Sequence, residues 1–233
     1  MPNLIIKQNL LQITNKKTME EKFTEQESLA IISKMIEQAR NNLQKGSGNS
    51  MIFIGLMVAF AAILNVVLAF IFAKNGINGN LSCLVWCLMI PTMYIEHLIE
   101  RKRNRKSMVK THIDSIISST WKAYAYSCFV FLAVIFGIGF GLEEKVYQIF
   151  FLINPVILIL VGQAEFVTAK ACRFKPYLYG AFAMWTGALA CVAATLMSRD
   201  PVIVQFLILA VCMILGFVVP GYQLNKLAEK ENV

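Results

Sequence analysis

The chain has 233 residues, 57% of them hydrophobic and only 15% charged, with a formal net charge of +8. Soluble domains run near a quarter charged, so an ordinary soluble enzyme or nucleic-acid-binding domain does not fit this composition. The charge that remains is unevenly distributed. Lys45 and Lys74 bracket 28 uncharged residues, Lys74 and Glu96 bracket 21, and Lys122 and Glu143 bracket 20; Lys145 and Glu165 bracket 19, Lys175 and Arg199 bracket 23, and Asp200 and Lys226 bracket 25. Crossing about 30 Å of hydrocarbon takes roughly 20 apolar residues in a helix, because lipid offers the backbone no hydrogen-bond partner. The expected fold is therefore all-α: a polytopic membrane protein of six transmembrane helices in three hairpins, preceded by a cytoplasmic amphipathic helix.

Residues 1–23 have weak patterning and are expected to be a flexible N-terminal extension; Met19 opens a more ordinary start, which sets residues 1–18 apart from the rest. Residues 24–48 are expected to form the amphipathic helix and a linker. Thr24-Glu25-Gln26-Glu27 is a capping box, in which the Thr hydroxyl and a Glu side chain satisfy orphan amides at a helix start. Leu29, Ile32, Ile36, Ala39 and Leu43 then recur on one face, and Lys45-Gly46-Ser47-Gly48 ends the pattern. That stripe is a candidate docking element: it could lie on the membrane, pack on the cytoplasmic loops, pair with a second copy or bind another protein.

The six-helix domain is expected over 49–225, with spans near 51–73, 81–99, 121–142, 146–166, 177–197 and 201–222, and a tail over 226–233. Span one carries Asn65 near its centre; span two carries Pro91 and ends in Glu96-His97. Next comes the most basic stretch, with six positive charges in the ten residues from Arg101 to Lys110. Thr111-His112-Ile113-Asp114 resembles a further helix start, and Trp121 and Tyr124 read as interfacial anchors. In span three Ala133, Gly137 and Gly141 fall at steps of four, a pattern that lets helix backbones approach in lipid. Ala183, Gly187 and Cys191 repeat it in span five. In span four Pro155 follows Asn154; proline removes a backbone donor and frees a carbonyl one turn earlier, which predicts a kink near mid-span with the Asn154 amide on that carbonyl. The alternative is a broken helix lining a substrate path.

Nineteen of the 22 Lys and Arg fall on the side holding both chain ends, against Lys74, Lys145 and Arg199 on the other. The positive-inside rule then makes both termini cytoplasmic, and the Arg101–Lys110 run the anchor after span two, in contact with lipid headgroups. No cleavable signal peptide is visible before the first hydrophobic block near Met51.

Polar residues in or at the edge of a membrane are suspect by default: Asn65, Asn154, Gln163, Glu165, Thr195 and Gln205, with Glu96 and His97 at the inner boundary. Glu96 and His97 could handle protons, but as sequence neighbours they diverge by about 100° on a helix and read more readily as headgroup-level ion pairs beside Arg101 and Lys102. Glu165 carries the same ambiguity. No HExxH, GxSxG, P-loop or paired intramembrane aspartates occur, and there are two histidines, His97 and His112. No catalytic residue, cofactor site or metal site is expected; Cys83 and Cys87 lack the second pair a zinc site needs.

The stretches TEQESLAIISKMIEQARNNLQKGSGNS (24–50) and ERKRNRKSMVKTHIDSIISSTWKAY (100–124) resemble a family of uncharacterised six-pass inner-membrane proteins of Bacteroidota-type bacteria. The similarity runs from about Met19 to the C-terminus. In that family the gene often lies beside one for a winged-helix transcriptional regulator, and the resemblance implies an inner-membrane location and a regulatory partnership. The first functional expectation is thus a non-enzymatic inner-membrane protein, regulatory or accessory, whose cytoplasmic face engages a soluble partner. The alternative is a transport protein, such as a permease subunit of ABC-2-like layout working with a separate ATPase. Expected partners are membrane lipid, a soluble cytoplasmic regulator or ATPase, and further copies of the chain; direct nucleic-acid binding is not expected.

Overall fold

The computed structural model describes residues 29–31, 33, 47–106, 112–141 and 144–230. The chain divides into two units, residues 1–41 and 42–233. In the first, residues 29–31 and 33 are helical, with Leu29 and Ile31 exposed; Ile32, Ile36, Ala39 and Leu43 of the expected stripe lie outside the described residues.

The second unit is all-helical among its described residues, with six segments long and apolar enough to cross a membrane: Gly48–Lys74, Leu81–Ile99, His112–Gly139, Gln148–Cys172, Lys175–Met197 and Pro201–Leu227. It is a multi-pass membrane protein. Span one is α1 (Ser47–Lys74). Ser47 and Gly48 belong to its first turn, so the Gly-Ser-Gly stretch expected to be a linker is in part helix. The reason is packing: a Cβ at Gly48 would meet the Asn225 side chain and the Gly221 carbonyl, and Asn225 Nδ2 donates to Asn49 Oδ1 at 2.6 Å. At its other end α1 closes on Gly76 (φ 68°), with Ile77 N–H donating to Phe72 O and Gly76 N–H to Ala73 O, the Schellman arrangement that glycine permits.

Span two starts as a 3-10 helix (Gly79–Leu88) and continues as α2 (Met89–Lys106), with Pro91 in its first turn, where proline is tolerated. Asn65 fixes this segment to α1: its Nδ2 donates to Ser82 O, and Ser82 Oγ donates back to Asn65 Oδ1. Span three is a single helix, α3 (His112–Gly141), so the helix start expected at 111–114 and the span are continuous. A 3-10 stretch (Glu144–Leu152) leads into α4 (Ile153–Cys172). Arg173, in the left-handed conformation, and Phe174 turn the chain directly into α5 (Lys175–Met197). Span six is α6 (Pro201–Met213), a π-helical turn (Ile214–Val218) and α7 (Val219–Lys230).

α4 and α5 share the most extensive interface, as their two-residue turn dictates; α6 packs on α5 and α1, α3 lies against α4, and span two lies against α1. The core is built from α1, α4, α5 and span six around Ala62, Leu158, Met184, Cys191 and Phe217. Spans two and three are peripheral, with 17% and 6% of their apolar windows buried against 39–44% for spans four to six.

Candidate functional site

Besides the Asn65–Ser82 pair, buried polar side chains gather toward each end of α4. The first group is built by Pro155. As expected, proline deprives a carbonyl one turn back of its donor; Pro155 lies in the first turn of α4, just after the 3-10 stretch. Asn154 does not serve the freed carbonyl. Gln205 Nε2, reaching over from α6, donates to Phe151 O at 3.1 Å, to Thr195 Oγ1 at 2.8 Å and to Cys191 O at 3.4 Å. Asn154 Nδ2 donates to Gln205 Oε1 at 3.4 Å. Asn154, Thr195 and Gln205 are thus one interhelical network tying α4, α5 and α6. Its polar groups are satisfied, as a structural brace requires.

The second site is different. Glu165 on α4, about two helical turns before the Arg173 turn, is 1% exposed, and neither carboxylate oxygen has a hydrogen-bond partner among the described residues. It faces glycine on both neighbouring elements. A Cβ at Gly180 of α5 would sit 2.9 Å from Glu165 Oε2 and 2.9 Å from the Gly216 carbonyl oxygen; one at Gly216, in the π-turn, would meet Glu165 Oε1 at 3.2 Å and the Met184 methyl group closer still. The space occupied by the carboxyl is the space two absent side chains leave.

The π-turn has a local cause. Pro220 has no N–H to give the Gly216 carbonyl, its partner in an α-helix, and its ring would clash with that carbonyl. The turn widens, and Val219 N–H donates to Ile214 O. The same proline therefore strips the Gly216 carbonyl of its usual donor, and that carbonyl and the Glu165 carboxyl border the same point, the missing side chain of Gly180. Such π-turns recur at functional sites. Between the two polar sites lies a dry layer in which Leu158, Val161, Met184 and Leu209 are all buried.

The remaining expected residues are scattered. Gln163 is exposed on α4; His97 is exposed and Glu96 half-buried, so the two do not share an enclosed site, although Glu96 Oε2 is itself covered and without a partner among the described residues. Asn65 is used in holding span two. In span five Gly187 does face α6, where a Cβ would strike Cys212 Sγ; Cys191 is buried beside it and Ala183 O accepts from Cys212 Sγ. Span three departs from expectation. Ala133 and Gly137 are exposed, a Cβ at Gly137 would meet nothing within 4 Å among the described residues, and Gly141 ends the helix. The inward face of α3 instead carries Trp121, which meets Phe217, then Tyr124, Ile135 and Gly139, the last packed on Phe150. Trp121 is thus a bundle contact as well as an end-of-span residue.

Sequence reasoning missed Gly180, Gly216 and Pro220. The signal for Pro220 was present, a proline four residues after a glycine inside a hydrophobic span; nothing in the sequence aligned Gly180 with it. Among the described residues no three His, Cys, Asp or Glu side chains converge as a metal site would require. Comparison with protein-family models, curated proteins and solved structures gives no match.

Proposed function

We propose that this is a non-enzymatic transport protein of the bacterial inner membrane, with both termini cytoplasmic and its working site at the junction of Glu165, Gly180 and Gly216. The observation that carries the reading is the carboxyl of Glu165, 1% exposed in the core of a membrane bundle and without a hydrogen-bond partner among the described residues. An ionisable group costs several kcal/mol in such a place, and a purely structural core has no use for it; substrate and ion pathways do. The dry layer between the Glu165 junction and the Gln205 network supports the same reading, since a transporter needs a barrier between its two sides. The 19-to-3 division of Lys and Arg supports the orientation.

The test is loss of solutes from vesicles. The full chain is reconstituted into liposomes loaded with a small-molecule extract of the native cells, and retained solutes are identified by mass spectrometry. Wild-type vesicles are expected to lose at least one class of solute that Glu165→Gln vesicles keep. Identical retention in both overturns the reading.

A regulatory or accessory role through a soluble partner has separate support in the exposure of Leu29 on the expected docking stripe and in the resemblance to proteins encoded beside a winged-helix regulator. Co-purification in mild detergent separates the alternatives. A DNA-binding protein that is lost from Ile32→Asp/Ile36→Asp favours regulation, whereas a P-loop ATPase favours transport driven from outside the chain.

A further inference from the structure

We propose that Glu165 is a proton-binding site, taking up and releasing a proton against the carbonyl of Gly216, and that the proton is the ion to which this protein's work is linked. The inference rests on the transport reading for its purpose, but not for its chemistry.

The groups that converge on the site are acceptors. They are the two oxygens of Glu165 and the Gly216 carbonyl, whose α-helical donor Pro220 cannot supply; the methyl end of Met184 lies against Gly216. A site made of acceptors takes a donor or a cation. Among the described residues, charged neighbours do not supply one. α1 has no charged residue between Lys45 and Lys74, and Lys170, the nearest base on α4 itself, is exposed and lies 5.4 Å over the Phe166 ring. Among titratable groups on the packed elements, Cys212 of α6 is buried and gives its hydrogen to Ala183 O; Tyr177 of α5 is buried and has partners of its own; Tyr124 and Cys128 of α3 lie together. In α7 Lys226 is exposed. None is a counter-ion for a carboxylate at this point.

Size then selects among the ligands left. Hard cations such as calcium and magnesium ask for about six to eight oxygens, and this junction offers three. Nor is there room for a donor of methyl size or larger, because even a methyl group at Gly180 would lie 2.9 Å from two of those oxygens. The proton alone needs no room. Uptake forms one O–H bond on the carboxylate with a proton delivered by water, and the acid then has a hydrogen to donate, with the Gly216 carbonyl as the proposed acceptor. Release returns the proton to water and leaves the carboxylate. No electrons are exchanged. Because Gly216 belongs to the π-turn, a charged carboxylate and a neutral acid interact differently with span six, which links the proton to the packing of α5 against α6.

Infrared difference spectroscopy of the full chain in lipid nanodiscs reads the acid directly. The expected result is a protonated-carboxyl carbonyl band in wild type that is lost as the pH is raised. It should be absent from Glu165→Gln, shifted in frequency in Glu165→Asp, and unchanged by sodium at fixed pH. A band that sodium removes makes this a cation site. A band that does not titrate makes Glu165 a permanently neutral structural acid, and no band at any pH makes it permanently ionised. Each of these three outcomes overturns the proposal. Titration without any solute flux would leave the proton site standing and remove the transport reading; flux with no titrating acid would do the reverse.

Discussion

Gly180 and Gly216 are both needed to seat the Glu165 carboxyl, but they are not equally replaceable. A methyl group added at Gly180 meets the carboxyl and, at 2.9 and 3.1 Å, the backbone of Gly216, which cannot move without moving span six. At Gly216 the obstruction is the methyl end of Met184, a flexible side chain that can swing away. Gly180→Ala should therefore cost on the order of 1–3 kcal/mol, in the range of overpacked cores, and Gly216→Ala distinctly less. Thermal unfolding of the two variants in the same detergent gives the order, and equal Tm values would mean the backbones are not in contact. A similar asymmetry applies to the other polar site. Gln205→Leu leaves the Phe151 carbonyl without its side-chain donor, whereas Asn154→Leu removes only one long hydrogen bond. The first should cost about 1–2 kcal/mol and the second less than half of that, given the modest worth of hydrogen bonds between membrane helices. Titrating unfolding with a denaturing detergent would compare them.

Helices and their order were legible in the sequence because lipid imposes a coarse code, about 20 apolar residues for each crossing. Which face of each helix points inward was not. A span is apolar all round, so hydrophobic periodicity loses its meaning and small residues become the available clue. That clue worked for Gly187, which faces Cys212, and failed for Ala133 and Gly137, whose side of α3 has no partner within 4 Å at Gly137 among the described residues. Prolines were more informative than their neighbours suggested. Pro155 led to the Phe151 carbonyl, although Gln205 of α6, 54 residues away, and not Asn154, supplies the donor. Pro220 dictates the π-turn, which puts one extra residue into the turn of span six and so sets how α7 meets α1. Restoring an N–H with Pro220→Ala should let that turn rewind to α-helix and rotate α7 by about 100°, one residue's worth. Asn225 would then leave Asn49. A disulfide between Asn49→Cys and Asn225→Cys, placed where the amides now meet at 2.6 Å, should form on mild oxidation with Pro220 present and be lost with Pro220→Ala. If cross-linking survives the substitution, the π-turn is held by packing and not by the proline.

At the scale of the molecule the question is which side of the membrane the Glu165 junction serves. The junction lies near the Arg173 turn, at the end of the bundle shared by the C-terminus of α4, the N-terminus of α5 and the start of α7. That end carries most of the basic residues: Arg101 and Lys102 of α2 are exposed, as are Lys170, Arg173 and Lys175, while Lys74 and Arg199 stand at the other end. If positive charge marks the cytoplasm, the nearer exit for a proton from Glu165 is cytoplasmic, and the Gln205 network with the dry layer around Leu158 and Met184 stands between it and the outside. Single-cysteine labelling tests this in intact cells. Asn78→Cys, in the exposed turn after α1, should react with an impermeant maleimide, and Glu229→Cys, exposed near the end of α7, should react only after the cells are opened. The reverse pattern would invert the protein and turn the Glu165 junction toward the outer face. The carboxyl would then exchange its proton with the outside and not with the cytoplasm.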